Sequence, residues 1–367
     1  VRWSMSDSFL KPIQNRKNLT IMTKTQVLKV LTRQKTDETK QNQKYNERGW
    51  ADSKIETYGL EVLNQKQKLN VTAKEQVILS SGAVSTPHLL QVSGIGSKDL
   101  INKINVEHVH ELPGVGENLQ DHLQIRTVYK VSNCKTVNTM YKNIFSRMMM
   151  GLEYLFFRTG PLTMPPSTLG AFTKSDDSQK SANLEWHVQP LSLPKFGDDL
   201  HPFNAITPSV CNLRPTSRGY IHAKSSDPLE YPKIMCNYLS TQEDLDVAVS
   251  GLKKTRSIMK SNALKPFTPE EMLPGPNLNS ETELQNAARD LGTTIFHPVG
   301  TCAMGEVDVN GNAKDPMTVL DSECRLKGIS KLRVIDASVM PSITSGNTNA
   351  PVMLIAETIA KKILRKN

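Results

Sequence analysis

The spacing of apolar and polar positions divides the chain into three stretches. Near the amino end, residues 18–23 and 27–31 carry the β-branched and aliphatic side chains of short strands. The Gln/Lys/Asn-rich run over 32–48 holds few residues able to pack and predicts an exposed loop. Apolar content returns at Val77, Ile78 and Leu79, stops at Ser80-Ser81-Gly82, and leads into a helical pattern over 87–92. A strand, a turn and a helix in that order are the unit of an α/β dinucleotide-binding domain.

The middle of the chain changes style. Residues 123–131 and 183–193 alternate as half-buried strands do, an amphipathic helix is predicted over 140–157, a strand pair falls at 217–224, and 241–261 reads as a long helix. The last eighty or so residues return to the first style, with a strand over 331–336 and a helix over 349–362. The fold class expected is α/β (α+β): a dinucleotide-fold domain over 1–125, an inserted antiparallel-sheet substrate domain over 126–285, and a return to the first domain over 286–367.

Composition fits this layout. A length of 367 residues exceeds what one compact core usually holds, so two domains, or one with a large insertion, are expected. No run approaches eighteen consecutive apolar residues, which argues against a transmembrane helix. Five cysteines stand apart with no Cys-x-x-Cys pair, indicating neither a zinc site nor a disulfide framework and favouring a reducing, cytoplasmic setting. Val1 is not an initiator methionine, and the first residues lack the apolar core of a signal peptide. The net charge of +9 gathers in polar stretches such as 32–48 and 361–366, where a solvated surface explains it. A basic nucleic-acid-binding protein is the reading it leaves over, and no aromatic-interleaved basic motif supports that.

Three motifs carry chemistry. The first is Gly82-Ala83-Val84-Ser85-Thr86-Pro87-His88, which continues to Gly96. The second is His297-Pro298-Val299-Gly300-Thr301-Cys302-Ala303-Met304-Gly305, and the third runs from Ile335-Asp336-Ala337-Ser338 to Ser345-Gly346-Asn347-Thr348-Asn349-Ala350-Pro351. Pro298 biases His297 away from helix, so a rigid loop can hold its ring at a cavity wall. A neutral imidazole suits removal of a hydroxyl proton. Asn347, Thr348 or Asn349 can cap the final helix, whose first-turn N–H groups and partial positive charge favour an anion. Taken alone, the same features describe a structural His-Pro loop and an ordinary capped core helix.

Together these motifs resemble the glucose-methanol-choline (GMC) oxidoreductases, flavoenzymes that oxidise alcohols, over almost the whole chain. The resemblance implies an FAD-dependent enzyme acting on the CH–OH group of a small-molecule alcohol, with quinone, dye or O2 as acceptor. It implies that His297 is the catalytic base, with Asn347 as the second catalytic residue facing the flavin. Cofactor contacts are implied at Val27 (adenine), at Asp336 and Ala337 (ribityl-pyrophosphate), near Ser85, and at Asn347 and Thr348 on the pyrimidine edge. Choline fits less well than a neutral alcohol, because choline-oxidising members carry Asn-Leu-Asn-Ala-Thr-Thr where this chain has Asn347-Thr348-Asn349-Ala350-Pro351-Val352.

No Gly-x-Gly-x-x-Gly phosphate loop occurs in the chain, so the expected FAD domain is incomplete at its amino end. A non-catalytic fragment that keeps the fold but cannot hold FAD is the alternative from a different class. Gly114 to His122 is also characteristic of the family, and Asp121 and His122 are expected to tie the two domains together. Glu185 and His187 lie on the polar face of an alternating run, where they line the substrate cavity only if that face looks inward. No His/Cys/Asp cluster has metal-ligand spacing, and no Gly-x-Ser-x-Gly elbow is present, so no metal is expected.

Overall fold

The computed structural model describes residues 3–35, 53–165, 167–195, 197–308 and 313–365. Most of the predicted polar loop over 32–48 lies outside them. Strands β1 (Thr25–Gln34) and β2 (Ile55–Asn64) run antiparallel, and β3 (Gln67–Thr72) pairs with the other edge of β2. Residues 18–23, expected to be a strand, carry no regular structure. Their apolar Ile21 and Met22 are exposed, so no sheet neighbour rewards pairing there.

The strand-turn-helix unit is present. Strand β4 (Val77–Leu79) feeds helix α1 (Gly82–Val92), whose inner residues from Thr86 to Val92 are buried. The short parallel pair β5 (Ile95–Gly96) and β6 (His110–Glu111) flanks helix α2 (Lys98–Lys103). The chain then enters a second sheet through β7 (Leu123–Arg126) and β8 (Val128–Lys130).

The helix predicted over 140–157 is divided in two, α3 (Val137–Lys142) and α4 (Ile144–Phe157). Asn143 causes the break: its backbone is extended, at φ −81° and ψ 117°, and its side chain caps α4 by accepting from Ser146 N at 3.0 Å. Little of α4 is covered: Met150 is its one fully buried residue, and Ile144, Phe156 and Phe157 are largely exposed.

The second sheet continues with β9 (Leu169–Thr173), β10 (Leu184–Gln189) and β11 (Ala205–Asn212). After a small hairpin, β12 (Tyr220–His222) with β13 (Lys233–Met235), comes the long helix α5 (Gln242–Met259). Strand β14 (Glu270–Leu273), helix α6 (Glu281–Leu291) and strand β15 (Gly292–Thr294) follow. The sheet has the order β14-β8-β11-β10-β9, with β7 bridging β11 and β15, all antiparallel. Both covering helices start where the sequence caps them. Thr241 accepts from Asp244 N, and Ser280 forms a full capping box with Glu283.

One face of this sheet is dry. Ile125, Leu184, Trp186 and Val210 pack against Val247, Ala248 and Leu252 of α5, and Trp186 Nε1 donates to Thr255 Oγ1 at 2.9 Å. Because strand residues alternate, Glu185, His187, Ser209 and Cys211 point to the opposite face.

The chain returns to the first region with β16 (Ile329–Ser330), parallel to β2, and β17 (Leu332–Val334), parallel to β4. Helix α7 (Asn349–Arg365) closes it. The larger core lies here and draws on both ends of the chain: Val77, Leu79, Leu89 and Leu90 meet Val319, Leu320, Ile329, Leu332 and Val334. Segments more than two hundred residues apart thus share one core, while residues 123–294 build the other sheet.

Candidate active site

The motifs separated in sequence are knitted together by main-chain bonds. Cys302 N donates to Ser338 O at 2.9 Å and Met304 N to Val339 O at 2.9 Å, so the segment after His297 runs alongside the turn after β17. Thr301 Oγ1 reaches back to Ala83 O of α1 at 2.6 Å. On its other side Val299 exchanges both backbone bonds with Gln120, at 2.9 and 3.0 Å. Gly300 stands at φ +96°, and a Cβ there would come within 2.5 Å of Asn118 O. Only glycine allows the motif loop to press this closely on residues 118–122.

That contact places two histidines together. His122 Nδ1 and His297 Nδ1 are 3.0 Å apart, with the rings at 81° to one another. His122 is fully buried, and its Nε2 lies 3.2 Å from Leu213 O. His297 is half-buried, and among the described residues nothing hydrogen-bonds its Nε2. Between them Asp121 acts as a hub. Its Oδ1 accepts from the backbone N–H of His122 and of His297, both at 2.9 Å, and its Oδ2 accepts from the hydroxyls of Tyr238 and Thr294.

Burial sets the charge state of both rings. It lowers the His122 pKa to about 4, with the carbonyl of Leu213 pulling the other way and His297 adding to the drop. Burial also holds His297 below 6.5, against the carboxylates of Asp121 and Glu185, which raise it. Glu185 and His187 therefore lie close enough to act on His297, on the polar face of β10. Sequence reasoning gave Asp121 and His122 to domain tethering. Both lie in the Asn118-Leu119-Gln120-Asp121-His122 run, and that run was the available signal.

Asp336 lies just past β17, at the head of the next turn, and its carboxylate is consumed by the protein. Its Oδ2 accepts from Gly82 N at 2.9 Å and Thr86 Oγ1 at 2.6 Å, and its Oδ1 from Ser338 N at 2.8 Å and Ser338 Oγ at 2.5 Å. It thus pins the start of α1 to the turn containing the half-buried Ala337. Ser85 is exposed in the first turn of α1, and Gly82, at φ +84°, faces open space on its Cβ side. Val27 is half-buried on β1, opposite Val62.

Asn347 is not a cap. The first intrahelical bond of α7 runs from Val352 N to Thr348 O at 3.1 Å, which makes the buried Thr348 the capping position and puts the exposed Asn347 one residue outside. Pro351 has no N–H, and no hydrogen bond among the described residues takes the N–H groups of Asn349 and Ala350, both exposed. Among the described residues no hydrogen bond joins Asn347 to His297.

Family models describing the GMC oxidoreductases match residues 1–124 and 215–356. The alcohol dehydrogenase [acceptor] of Pseudomonas putida is 36% identical over the whole of this chain, and the chain spans 61% of that protein's length. An oxygen-dependent choline dehydrogenase of Acinetobacter baumannii is 34% identical over 99% of the chain, again with 61% of its own length covered. Among solved structures, pyridoxine 4-oxidase from Mesorbium loti superposes with a TM-score of 0.77 at 27% identity, over 98% of this chain and 61% of that one. Formate oxidase superposes with a TM-score of 0.81 at 23% identity, over 96% and 62%, a likeness of fold. The chain belongs to the GMC oxidoreductases, a family of FAD-dependent enzymes.

Proposed function

We propose that this chain supplies the proton-handling side of an FAD-dependent alcohol dehydrogenase or oxidase, with His297 as the base. The observation that carries the reading is the His122–His297 pair. His122 is neutral at working pH, and its Nε2–H donates to the carbonyl of Leu213, so its Nδ1 carries the lone pair. His297 must then donate its own Nδ1–H to His122. That leaves the lone pair of His297 on Nε2, open to a substrate hydroxyl.

The residues present fit FAD. Gly82 leaves space at the start of α1, Ser85 offers a hydroxyl beside it, and Asp336 holds the turn that presents the backbone of Ala337. Since the carboxylate of Asp336 is already satisfied, its contact with the ribityl-pyrophosphate is assigned to the backbone. The donors of Asn349 and Ala350 suit the electron-rich pyrimidine edge, Thr348 caps that helix, and the backbone of Val27 suits adenine. Bound FAD supplies the hydride acceptor for the carbinol carbon.

The chain's own residues do the rest. His297 Nε2 takes the hydroxyl proton, and His122 keeps the ring in one tautomer and orientation. Asp121 stabilises the imidazolium that forms. Asn347, ahead of α7, orients the substrate oxygen through its amide. A small neutral alcohol is the substrate class proposed, with quinone, dye or O2 as acceptor and choline as the second choice.

The FAD region is assigned to 1–125 and 286–367 and the substrate region to 126–285, except that β7 and β15, at the two borders, pair into the substrate-region sheet. Because the chain spans 61% of the length of the two dehydrogenases named above and contains no Gly-x-Gly-x-x-Gly loop, it is expected to retain little FAD by itself. A full-length version, with the segment those relatives possess besides, tests the function. Anaerobic mixing with primary and secondary alcohols should bleach the flavin bands, and a dye acceptor should restore them. Bound FAD that no alcohol reduces would overturn the reading.

A further inference from the structure

We propose that Glu185, His187 and Cys211 form a binding site for one borderline divalent cation, Zn2+ being the best match, on the polar face of the β10–β11 pair. Nothing in the sequence suggests it, because Cys211 lies far from the other two and no spacing motif links them. Strand pairing makes the site. Glu185 is the cross-strand partner of Cys211, and His187, two residues on, points to the same face. Their ligand atoms all lie within 4.8 Å of one another. His187 Nε2 is 3.3 Å from Glu185 Oε1, and Cys211 Sγ is 4.0 Å from Glu185 Oε2. A tetrahedral ion with ordinary Zn–S and Zn–N bonds holds its ligand atoms about 3.5 Å apart, so small side-chain rotations close the set.

Two further observations point to a ligand. His187 Nε2 is buried and makes no hydrogen bond, its 3.3 Å approach to Glu185 Oε1 lacking hydrogen-bond geometry, and the carboxylate of Glu185 is almost wholly buried, at 4% residue exposure. Both are costly unless something compensates. A thiolate, an imidazole and a carboxylate also define the metal: sulfur disfavours Mg2+ and Ca2+, and the mixed N/S/O set suits Zn2+ or Co2+. The filled site is neutral, two negative ligands against a doubly charged ion, as the burial of Glu185 and Cys211 requires. Burial, with Glu185 next, pushes the Cys211 thiol up, so it is protonated without metal. Binding releases that proton to solvent as the metal–sulfur bond forms, with no change of oxidation state. His187, the half-buried member, marks the way in, and a fourth position is left for water. Arg126 shares this face but pairs with Ser209 rather than Cys211. The proposal does not depend on the oxidoreductase reading.

Titration of the metal-free protein with Co2+ tests it. One equivalent should produce the near-ultraviolet thiolate-to-cobalt band with the intense visible bands of a tetrahedral ion, and Zn2+ should abolish both. Cys211→Ser should remove the charge-transfer band and weaken binding by on the order of tenfold or more, and Glu185→Gln should weaken binding while keeping the band. Cys236→Ser should titrate as the parent does. If the folded parent shows no band, or the band survives in Cys211→Ser, there is no such site. Because Glu185→Gln leaves every ligand volume unchanged, parent-like Co2+ affinity in that folded variant likewise overturns it.

Discussion

His122 and His297 meet through like atoms, Nδ1 to Nδ1 at 3.0 Å, and such a contact is a hydrogen bond only if one ring lends a proton and the other a lone pair. The carbonyl of Leu213 settles which, because it needs the proton of His122 on Nε2. A buried ring with no other duty thereby dictates the tautomer of a half-buried one. Second partners that fix a working imidazole in this way are common around metal-bound histidines as well.

If His297 is the base, His297→Ala in the full-length enzyme should slow flavin reduction by on the order of 100-fold or more, with the flavin spectrum near that of the parent. The pH profile adds a sign. Burial lowers the His297 pKa, so the neutral base persists below pH 6.5, and the reduction rate should fall with acid only at a midpoint under that value. Stopped-flow reduction across pH 4 to 8 reads both. A rate that is flat in pH and insensitive to His297→Ala assigns the proton to another group.

His122 should make the fold acid-labile. Its folded pKa of about 4 lies below the ordinary 6.5, so between those values the unfolded chain binds a proton that the folded one refuses. Stability is therefore fully present above pH 6.5 and falls as acid is added, by about 3 kcal/mol at the lower end. His122→Leu removes this dependence. It should also slow reduction by about tenfold or more, by freeing the His297 ring to turn. Urea melts at several pH values would show the same acid slope in parent and His122→Leu if His122 is not its source.

Much of this layout was legible in the sequence, and the failures share a cause. Periodicity located β4, α5 and α7 because each shows one apolar face to one partner. It failed at 18–23, where strand-forming residues have nothing to pair with, and at Asn143, where one capping side chain outweighs a continuous apolar pattern. The motifs were visible, yet the contact of His122 with His297 spans 175 positions, and the meeting of Glu185 with Cys211 depends on strand register. Local pattern specifies neither. Asn347 was read as a possible cap because it precedes a helix. Only the first i to i+4 bond shows that Thr348 holds that position.

Asp336 should behave as a structural clamp. Its carboxylate accepts two bonds from the start of α1 and two from Ser338, all to donors that removal would leave without partners. Asp336→Ala should therefore cost on the order of 3 kcal/mol, and FAD affinity in the full-length protein should fall with it. Asp336→Asn, which turns an N–H2 towards donors, should cost somewhat less. A change under about 0.5 kcal/mol in chemical denaturation would place Asp336 with ordinary surface positions.

Asn347 and Thr348 divide two roles that a single residue was expected to share. Thr348 is buried and its carbonyl starts α7, so Thr348→Ala should destabilise the protein, by about 1 kcal/mol if the loss is of the usual size for a cap position. Asn347 is exposed and makes no hydrogen bond with the described residues, so Asn347→Ala should leave the melting temperature near that of the parent. If its amide orients the substrate oxygen, the same substitution should slow flavin reduction by about tenfold, by loss of alignment. Asn347→Asp sharpens the test. A carboxylate at the positive end of α7 is tolerated by the fold, but its charge opposes an alkoxide developing nearby and the electron-rich pyrimidine edge of FAD. The expected pattern is a parent-like melt with reduction slower than in Asn347→Ala. If Asn347→Asp reduces as fast as the parent, Asn347 has no part in the reaction, and His297 with His122 forms the whole of the proton-handling site.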